Sequence, residues 1–528
     1  MSTVLPTTED APGPYPVQHA QGRNVAHEDR GVRPATLDPV AAGLIALLVL
    51  AVSADRLGLG AGSLNLRTEL MAGGLVALIL LLRNGRAFLR GWGLVDACLG
   101  GWFAANVLSS LLFSPNRTES LKYVAILAGL LTIYVACRLL ITTEAALTWA
   151  TAMFIVIGTA TALLGLASAL LFNIIGPNFG ILLERFYRDG VFVVTPKVQG
   201  ILWEPNIYGS FSLAVAALAG ALALRKPTGD TLDTRNGPSA FAWRILRSPL
   251  VLTLAVIAGM SGVMLSMTRT VWLIGPALIL LLGATAWKVK LAEPPAIITR
   301  LFLPALLGCV IGLGVGLSLP APQWKMGEPW DLTPAQIDDM VRQRLFVNEP
   351  QEPTVPASGA TPVATGGSSA PIDRVGELLD VNVAPSITSR WRIYTDAFNG
   401  WLMLPVFGWG AGTFPYVYPP PPQGGDWIAN VELHALFDTG LVGMVLLAAA
   451  AIIAGLRALR TLRLPPARWQ EVNYLTFSLI FASLGLLAAF QVTDGTWLGF
   501  TWVLLAMLVA CGHTSGARRA SENASANN

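Results

Sequence analysis

NVELHALFDTGLVGMVLLAAAAIIAGL, residues Asn430–Leu456, decides how this chain is read. From Leu433 onward it is an apolar run of the length a helix needs to cross a bilayer, about 20 residues. Its first turns nevertheless carry Asn430, His434 and Asp438, at i, i+4 and i+8. Residues four apart on a helix lie one above the other. The three therefore form one polar stripe if the helix begins before Asn430. Just upstream, GWGAGTFPYVYPPPPQGGDW (Gly408–Trp427) is a Gly- and Pro-rich loop. A polar stripe where such a loop enters a membrane helix is where function is expected, because polar groups are costly there.

The rest of the chain fits that setting. Its 528 residues are 53% hydrophobic and 13% charged, with a mean hydropathy of +0.58. Soluble domains carry about 25% charged residues, so this is an integral membrane protein. Apolar runs predict about twelve spanning helices, near 38–54, 66–82, 91–113, 122–141, 147–175, 205–225, 249–267, 270–286, 300–320, 433–456, 472–490 and 494–511. The expected class is an all-α polytopic protein, since only helices or closed barrels satisfy their backbone in lipid. The run from 249 to 286 is too long for one span, and its polar SMTRT predicts a tight hairpin with Arg269 at the turn.

Five regions follow. Residues 1–37 are a disordered cytoplasmic tail, polar and rich in Pro and Gly. The run after it ends in AVSA, which mimics a signal-peptidase site, but its long polar leader makes it a retained first helix. Residues 38–320 hold helices one to nine and 433–511 helices ten to twelve. Between them, 321–432 form a long external loop with a low-complexity linker at about 349–372. Within that loop TPAQIDDMVRQRL and SITSRWRIYTDAFNGWLML have helical spacing. Residues 512–528 are a second cytoplasmic tail. The orientation rests on Arg83, Arg86 and Arg90; Arg225, Lys226, Arg235, Arg244 and Arg247; Lys288, Lys290 and Arg300; and Arg457, Arg460, Arg463 and Arg468. All of them fall in alternate short loops, which places those loops and both termini inside.

The four cysteines lie singly in apolar runs and read as small buried hydrophobes. No cysteine or histidine cluster implies a metal or haem, and no cofactor is expected. A net charge of +3 is too mild to imply nucleic acid. GWGAG lacks the third glycine and the preceding strand of a nucleotide loop.

Within the predicted spans the interior charge is Asp96, near a cytoplasmic end. The other polar groups gather at outer ends. Arg185, Arg188, Lys197 and Glu204 come from the fifth connection, Arg269 from the hairpin, Arg390 and Arg392 from the end of the long loop, and His434 and Asp438 from the tenth helix. Guanidiniums bind phosphate oxygens in bidentate fashion and stay charged. Several of them around one histidine suit a phosphorylated lipid whose head lies at the membrane surface. Asp438 would hold the His434 imidazole in one tautomer, leaving the other nitrogen to take a proton. Asn430 would bind a sugar hydroxyl. The plainer alternatives are that His434 and Asp438 simply pair at a helix end, that WEPN (Trp203–Asn206) is a helix start, that Arg269 anchors at the interface, and that Arg390 and Arg392 are solvated.

Four stretches resemble the O-antigen ligase and polymerase superfamily of bacterial envelope enzymes. GILWEPNIYGSF is similar to its Gly-x-x-x-x-Pro-Asn-x-x-Gly helix start, and SMTRTVWLI to its Ser-x-x-Arg-x-x-Trp hairpin. RWRIYTDAFNGWLMLPVFGWGAGTF resembles its Arg…Pro-x-x-Gly-x-Gly-x-x-Phe segment, and NVELHALFDTGLVG its Asn-x-x-Leu…Glu/Asp-x-Gly-x-x-Gly signature. Their order and the topology cover most of 38–511. The resemblance implies a glycosyltransferase C-like fold in the cytoplasmic membrane. It also implies metal-independent, inverting transfer of a glycan from undecaprenyl pyrophosphate to an acceptor hydroxyl outside. The acceptor is a lipid A core in ligases and a growing glycan in polymerases, and a chain-length regulator is a possible partner. Arg269 and Arg390 match family arginines, with Arg185 or Arg188 assisting and Glu204, Asn206, Asn430 and Arg392 supporting. The position where many members carry His before the Asn is Ala429 here. His434, Asp426, Glu432 or Asp438 is then the base, or no strong base is needed. The competing readings are a flippase or transporter of lipid-linked glycans, and a non-catalytic envelope scaffold.

Overall fold

The computed structural model describes residues 37–54, 58–61, 64–90, 92–175, 180–188, 191–202, 204–225, 237–319, 323–325, 383–418, 428–463, 469 and 471–526. The expected N-terminal tail, the helical spacing at 333–345, the linker at 349–372, and Trp203 and Asp426 lie outside the described residues.

Helices dominate. They are α1 (Pro39–Val52), α2 (Thr68–Arg90), α3 (Leu94–Leu112), α4 (Arg117–Leu140), α5 (Glu144–Leu170), α6 (Pro205–Ala223), α7 (Pro238–Arg247), α8 (Pro249–Leu265), α9 (Arg269–Lys288), α10 (Leu303–Ser318), α11 (Val383–Met403), α12 (Val431–Thr461), α13 (Glu471–Ala489) and α14 (Gly499–Ala526). Side chains at their starts explain several boundaries. Asp38, Asn116, Thr143 and Ser248 each accept an N–H of the first turn of α1, α4, α5 and α8, relieving donors with no partner inside the helix. A proline follows Asp38, Glu204 and Ser248, where its missing N–H costs nothing.

Among the described residues eight helices are long and apolar enough to cross a membrane, nine if the bent pair α7–α8 counts as one span. Three more apolar helices, Pro39–Val52, Thr68–Leu80 and Gly499–Gly512, fall below that length. At 1.5 Å per residue, α1 reaches only about 21 Å against a core of about 30 Å. Helices stand at each of the twelve expected places, but not all at spanning length. The amphipathic α7 is an addition. It meets α8 at 69° across Ser248, and its residues lie where the sequence suggested an inside loop.

Among the described residues five short strands join the helices. β1 (Gly58–Ala61) and β2 (Leu64–Arg67) form a hairpin. β3 (Ile181–Arg188) and β4 (Val191–Val198) form another, and β5 (Gln323–Lys325) adds antiparallel to β4. The connection after α5 and the first part of the long loop are thus one sheet, which helical periodicity does not reveal.

At the centre lies α6, whose run of Ala, Gly and Ser is buried throughout. A Cβ on Gly259 of α8 would sit 2.8 Å from the Ser212 carbonyl oxygen of α6, so the two backbones touch. Small residues permit this close approach in lipid, where packing rather than water drives association.

Ion pairs and turns fix which helix ends share a side. Arg225, just past α6, and Arg247, ending α7, both bind Glu471 at the start of α13, at 2.7 and 2.9 Å. At the other end, a Cβ on Gly209 of α6 would lie 2.7 Å from Ser266 Oγ in the α8–α9 hairpin. The first N–H of α12, on Val431, donates to the Phe490 carbonyl just beyond α13 at 3.1 Å. The starts of α6, α9 and α12 and the end of α13 therefore lie together, away from Arg225, Arg247 and Glu471. Asp96 sits near a helix end, as its sequence position suggests, with Tyr134 Oη at 2.7 Å and Arg138 Nε at 3.6 Å. Glu69 is a buried carboxylate, paired with Arg67 at 3.5 Å.

Candidate active site

The site is built on a break in α12. Gly440 has φ 61° and ψ −162° inside the helix, a conformation open to glycine and strained for other residues. The break frees backbone groups on both sides, and the loop after α11 takes them up. Trp409 N and Gly410 N donate to the Phe437 and Asp438 carbonyls at 2.8 Å each. Leu441 N and Val442 N donate to the Pro405 and Val406 carbonyls at 2.9 and 3.2 Å. Irregular backbone within a membrane helix persists only when its polar groups are satisfied by protein in this way. Gly408, at φ 69°, makes the approach possible, since a Cβ there would lie 2.5 Å from the Phe437 carbonyl oxygen. The glycines of PVFGWGAG and DTGLVG are thus two halves of one backbone seam.

Two residues before the break lies Asp438, and one turn earlier His434; both are buried. His434 Nε2 is 3.1 Å from Asp438 Oδ2. His434 Nδ1 is in ion-pair contact with Asp494 Oδ2, from the turn between α13 and α14. Asp438 Oδ2 also accepts Gly412 N at 3.3 Å, while Asp438 Oδ1 is buried with no hydrogen-bond partner among the described residues. The nitrogen that the sequence leaves open to a proton therefore faces a second carboxylate. An ionised carboxylate only accepts hydrogen bonds. Two carboxylates on one imidazole thus require either the imidazolium or a proton on one of the acids. Proton uptake from a third group falls to carboxylate oxygen more readily than to the ring.

Beside this trio is a cavity with room for about one water molecule, lined by Asn106, His434, Asp438, Thr496 and Trp497 among others. Trp497 lies against the His434 ring, with centroids 6.1 Å apart. Asp494 accepts the Thr496 N–H at 2.9 Å and the Thr496 hydroxyl at 2.7 Å, fixing the turn that carries the cavity wall. Arg67 Nη1 donates to the Trp497 carbonyl at 3.3 Å from outside that wall.

Asn430 stands just before the helix. It is the N-cap of α12, its side chain accepting Leu433 N at 2.8 Å, so the stripe begins at His434. Its amide also donates to Gln491 Oε1 at 3.2 Å, and Gln491 Nε2 donates to Glu432 Oε1 at 2.8 Å. The helical spacing in SITSRWRIYTDAFNGWLML is met by α11, which packs Ile393 and Ala397 against Phe414, Ile428 and Phe437. That packing brings Arg390 to the α13–α14 turn, where Nη1 donates to the Val492 carbonyl at 3.1 Å, two residues from Asp494. One turn on, the Tyr394 hydroxyl donates to the Ala429 carbonyl at 3.0 Å. Burial raises the Tyr394 phenol above its ordinary pKa, opposed by Arg390 beside it, so it remains a donor. Arg392 points to the exposed side of α11.

Arg269 opens α9, half-buried, at the same end of the bundle. Its hairpin is held by Trp272 Nε1 donating to the Met264 carbonyl at 2.8 Å and by Ser266 and Thr268 hydroxyls 2.9 Å apart. Asn206 lies in the first turn of α6, one turn before Gly209, which meets that hairpin. Exposed Glu204 precedes α6. Arg185 and Arg188 are on β3, and their side chains lie outside the description. The structure thus brings His434, Asp438, Asn430 and Arg390 into one neighbourhood, and places Arg269 and Asn206 at the same end on neighbouring helices.

Asp494, Thr496, Trp497, Asn106 and Arg67 are the members that sequence reading missed. Asp494 carried a signal, as an acid at the edge of two apolar runs, but it read as the start of the last span. Among the described residues no group of three or more His, Cys, Asp or Glu is arranged to hold a metal ion. In the trio the two acids flank the ring on opposite nitrogens instead of converging on a point.

Residues 254–448 match the O-antigen ligase family model. The match runs from α8 through the Arg269 hairpin, α11 and the glycine seam into α12, and it supports the O-antigen ligase and polymerase superfamily and glycan transfer of that general type. The comparison with curated proteins found no match.

Proposed function

We propose that this chain transfers a glycan from an undecaprenyl-pyrophosphate donor to an acceptor hydroxyl at the outer face of the cytoplasmic membrane, with inversion and without a metal. The observation that carries this reading is the Asp438–His434–Asp494 trio, with His434 and Asp438 buried, beside a cavity of hydroxyl size. It stands where a broken membrane helix is sewn to the loop that follows Arg390.

In this reading the acceptor hydroxyl enters the cavity, and Asp438, whose Oδ1 has no hydrogen-bond partner among the described residues, receives its proton. The hydroxyl oxygen bonds to the anomeric carbon as the bond to pyrophosphate breaks, and the departing electron pair goes to the phosphate oxygen. His434, held from both sides, orients and neutralises the acids and is not itself the base. Arg269 and Arg390 take the growing negative charge, which is the larger electrostatic task, because preorganised cations act where charge develops. Arg185, Arg188 and Arg392 assist at the donor, and Glu204, Asn206 and Asn430 hold the walls. The acceptor is a lipid A core or a lengthening glycan; in the second case a chain-length regulator is the natural partner.

The test is turnover by the purified full-length protein with an undecaprenyl-pyrophosphate glycan and each acceptor. Arg269→Ala and Arg390→Ala are each expected to cost about a hundredfold, the scale of losing one charge-stabilising group. Undiminished turnover in the double variant overturns the assignment of the leaving-group clamp.

A further inference from the structure

The end of the bundle away from the cavity holds a group that the glycan chemistry does not use. Glu471 accepts Arg225 Nη1 on Oε2 at 2.7 Å and Arg247 Nη2 on Oε1 at 2.9 Å, so each carboxylate oxygen already holds one guanidinium. Arg300, exposed on the π-helical turn before α10, reaches the Arg225 carbonyl with Nη1 at 3.4 Å. Two guanidiniums thus flank one carboxylate and a third reaches the backbone beside them, so these four groups carry a surplus of two positive charges. The Arg247 Nε–H is buried with no hydrogen-bond partner among the described residues. Burial lowers the Arg225 pKa against the pull of Glu471, and Arg247 adds a smaller push in the same direction as burial.

The surroundings have the build of a membrane surface. α7 buries Ala242, Ile245 and Leu246 against the bundle while Phe241 and Arg244 are exposed. The Arg247 guanidinium lies 5.4 Å from the Trp243 ring centroid. Leu250, just after the 69° bend into α8, is 77% exposed. A short amphipathic helix with an aromatic and arginines, leading into an apolar helix, is the pattern of a segment lying in the headgroup layer. Arginine side chains there meet phosphate in the fork geometry that guanidinium favours.

We infer that Arg225, Arg247 and Arg300, with Trp243 and α7, form a binding site for the phosphate of an anionic glycerophospholipid in the leaflet opposite the cavity. The phosphodiester oxygens would face Arg300 and the exposed part of the Arg247 guanidinium, while Phe241 and Leu250 meet the acyl chains. Binding would fasten α6, α8, α10 and α13 to one another at that end.

Thermal melting of the full-length protein in detergent, titrated with short-chain phosphatidylglycerol, phosphatidylcholine or inorganic phosphate, tests this. Phosphatidylglycerol is expected to raise the melting temperature saturably, and the other two are not. Arg300→Gln, at an exposed position that leaves the Glu471 pairs intact, is expected to weaken phosphatidylglycerol binding about fivefold, the worth of one basic side chain at an anionic surface. Arg247→Gln should weaken it further, and native mass spectrometry reports retained lipid for that variant even where its own melting point has dropped. Equal stabilisation by phosphatidylglycerol and phosphatidylcholine overturns the site, as does unchanged binding in Arg300→Gln. Stabilisation by inorganic phosphate alone overturns the lipid as its occupant.

Discussion

At one end of the bundle an imidazole, His434, lies between two carboxylates; at the other a carboxylate, Glu471, lies between two guanidiniums. Both trios tie together segments far apart in sequence, and both take charge out of water at a cost that pairing must offset. They differ in what surrounds them. The His434 trio, with His434 and Asp438 buried, is next to a cavity, on a helix whose backbone is interrupted and re-bonded by a neighbouring loop. The Glu471 trio is partly exposed, next to an amphipathic helix, at helix ends. In the proposed reading, the odd charge beside a cavity and irregular backbone serves chemistry, whereas the odd charge beside an interfacial helix serves attachment.

The comparison breaks hardest at the backbone seam. Gly440→Val places a Cβ 2.3 Å from the Val406 carbonyl carbon and forces a valine to φ 61°. The expected cost is about 3 kcal/mol or more, seen as loss of monodisperse protein in size-exclusion chromatography. A soluble, fully active Gly440→Val protein would show that the seam is not needed. Glu471→Gln comes next. It leaves two guanidiniums facing a neutral amide and should lower stability by about 1–3 kcal/mol, since the group is partly exposed, while turnover per folded molecule is kept. Asp494→Asn should do the reverse, cutting turnover about tenfold through a misplaced imidazole with a small change in melting temperature. If these two variants exchange effects, the division of labour between the ends is wrong. The smallest effect is expected at Arg392, exposed on α11. Arg392→Ala should change turnover by less than about threefold, as for an exposed surface charge, and should raise the apparent KM for donor and leave kcat unchanged.

Much of this was legible from the chain because lipid makes periodicity simple. Apolar length places the helices, and the polar residues left over mark their ends, so His434, Asp438, Arg269 and Arg390 stand out in a sequence with few such groups. Helix lengths were less legible, since α1 has only fourteen residues, Pro39–Val52, where the apolar run 38–54 read as a full span. The β3–β4–β5 sheet was not legible at all, because β5 pairs with a hairpin more than a hundred residues away. Asn430 read as the first member of a helical stripe, yet asparagine is favoured as a cap, and capping places it outside the helix. Asp494 went unseen because its partner lies sixty residues away in the chain. The glycines of GWGAG lack the pattern of a nucleotide loop, but their place in the backbone seam depends on a break at Gly440 that no spacing rule announces.

The central claim is that the cavity beside the trio is where the acceptor hydroxyl loses its proton. Single-turnover glycan transfer by Asp438→Asn, with His434→Gln in parallel, addresses it most directly. The account predicts a drop of about a hundredfold or more for Asp438→Asn, the scale of losing general-base assistance, and a smaller drop for His434→Gln, both with wild-type donor binding. Wild-type rates in Asp438→Asn would contradict it.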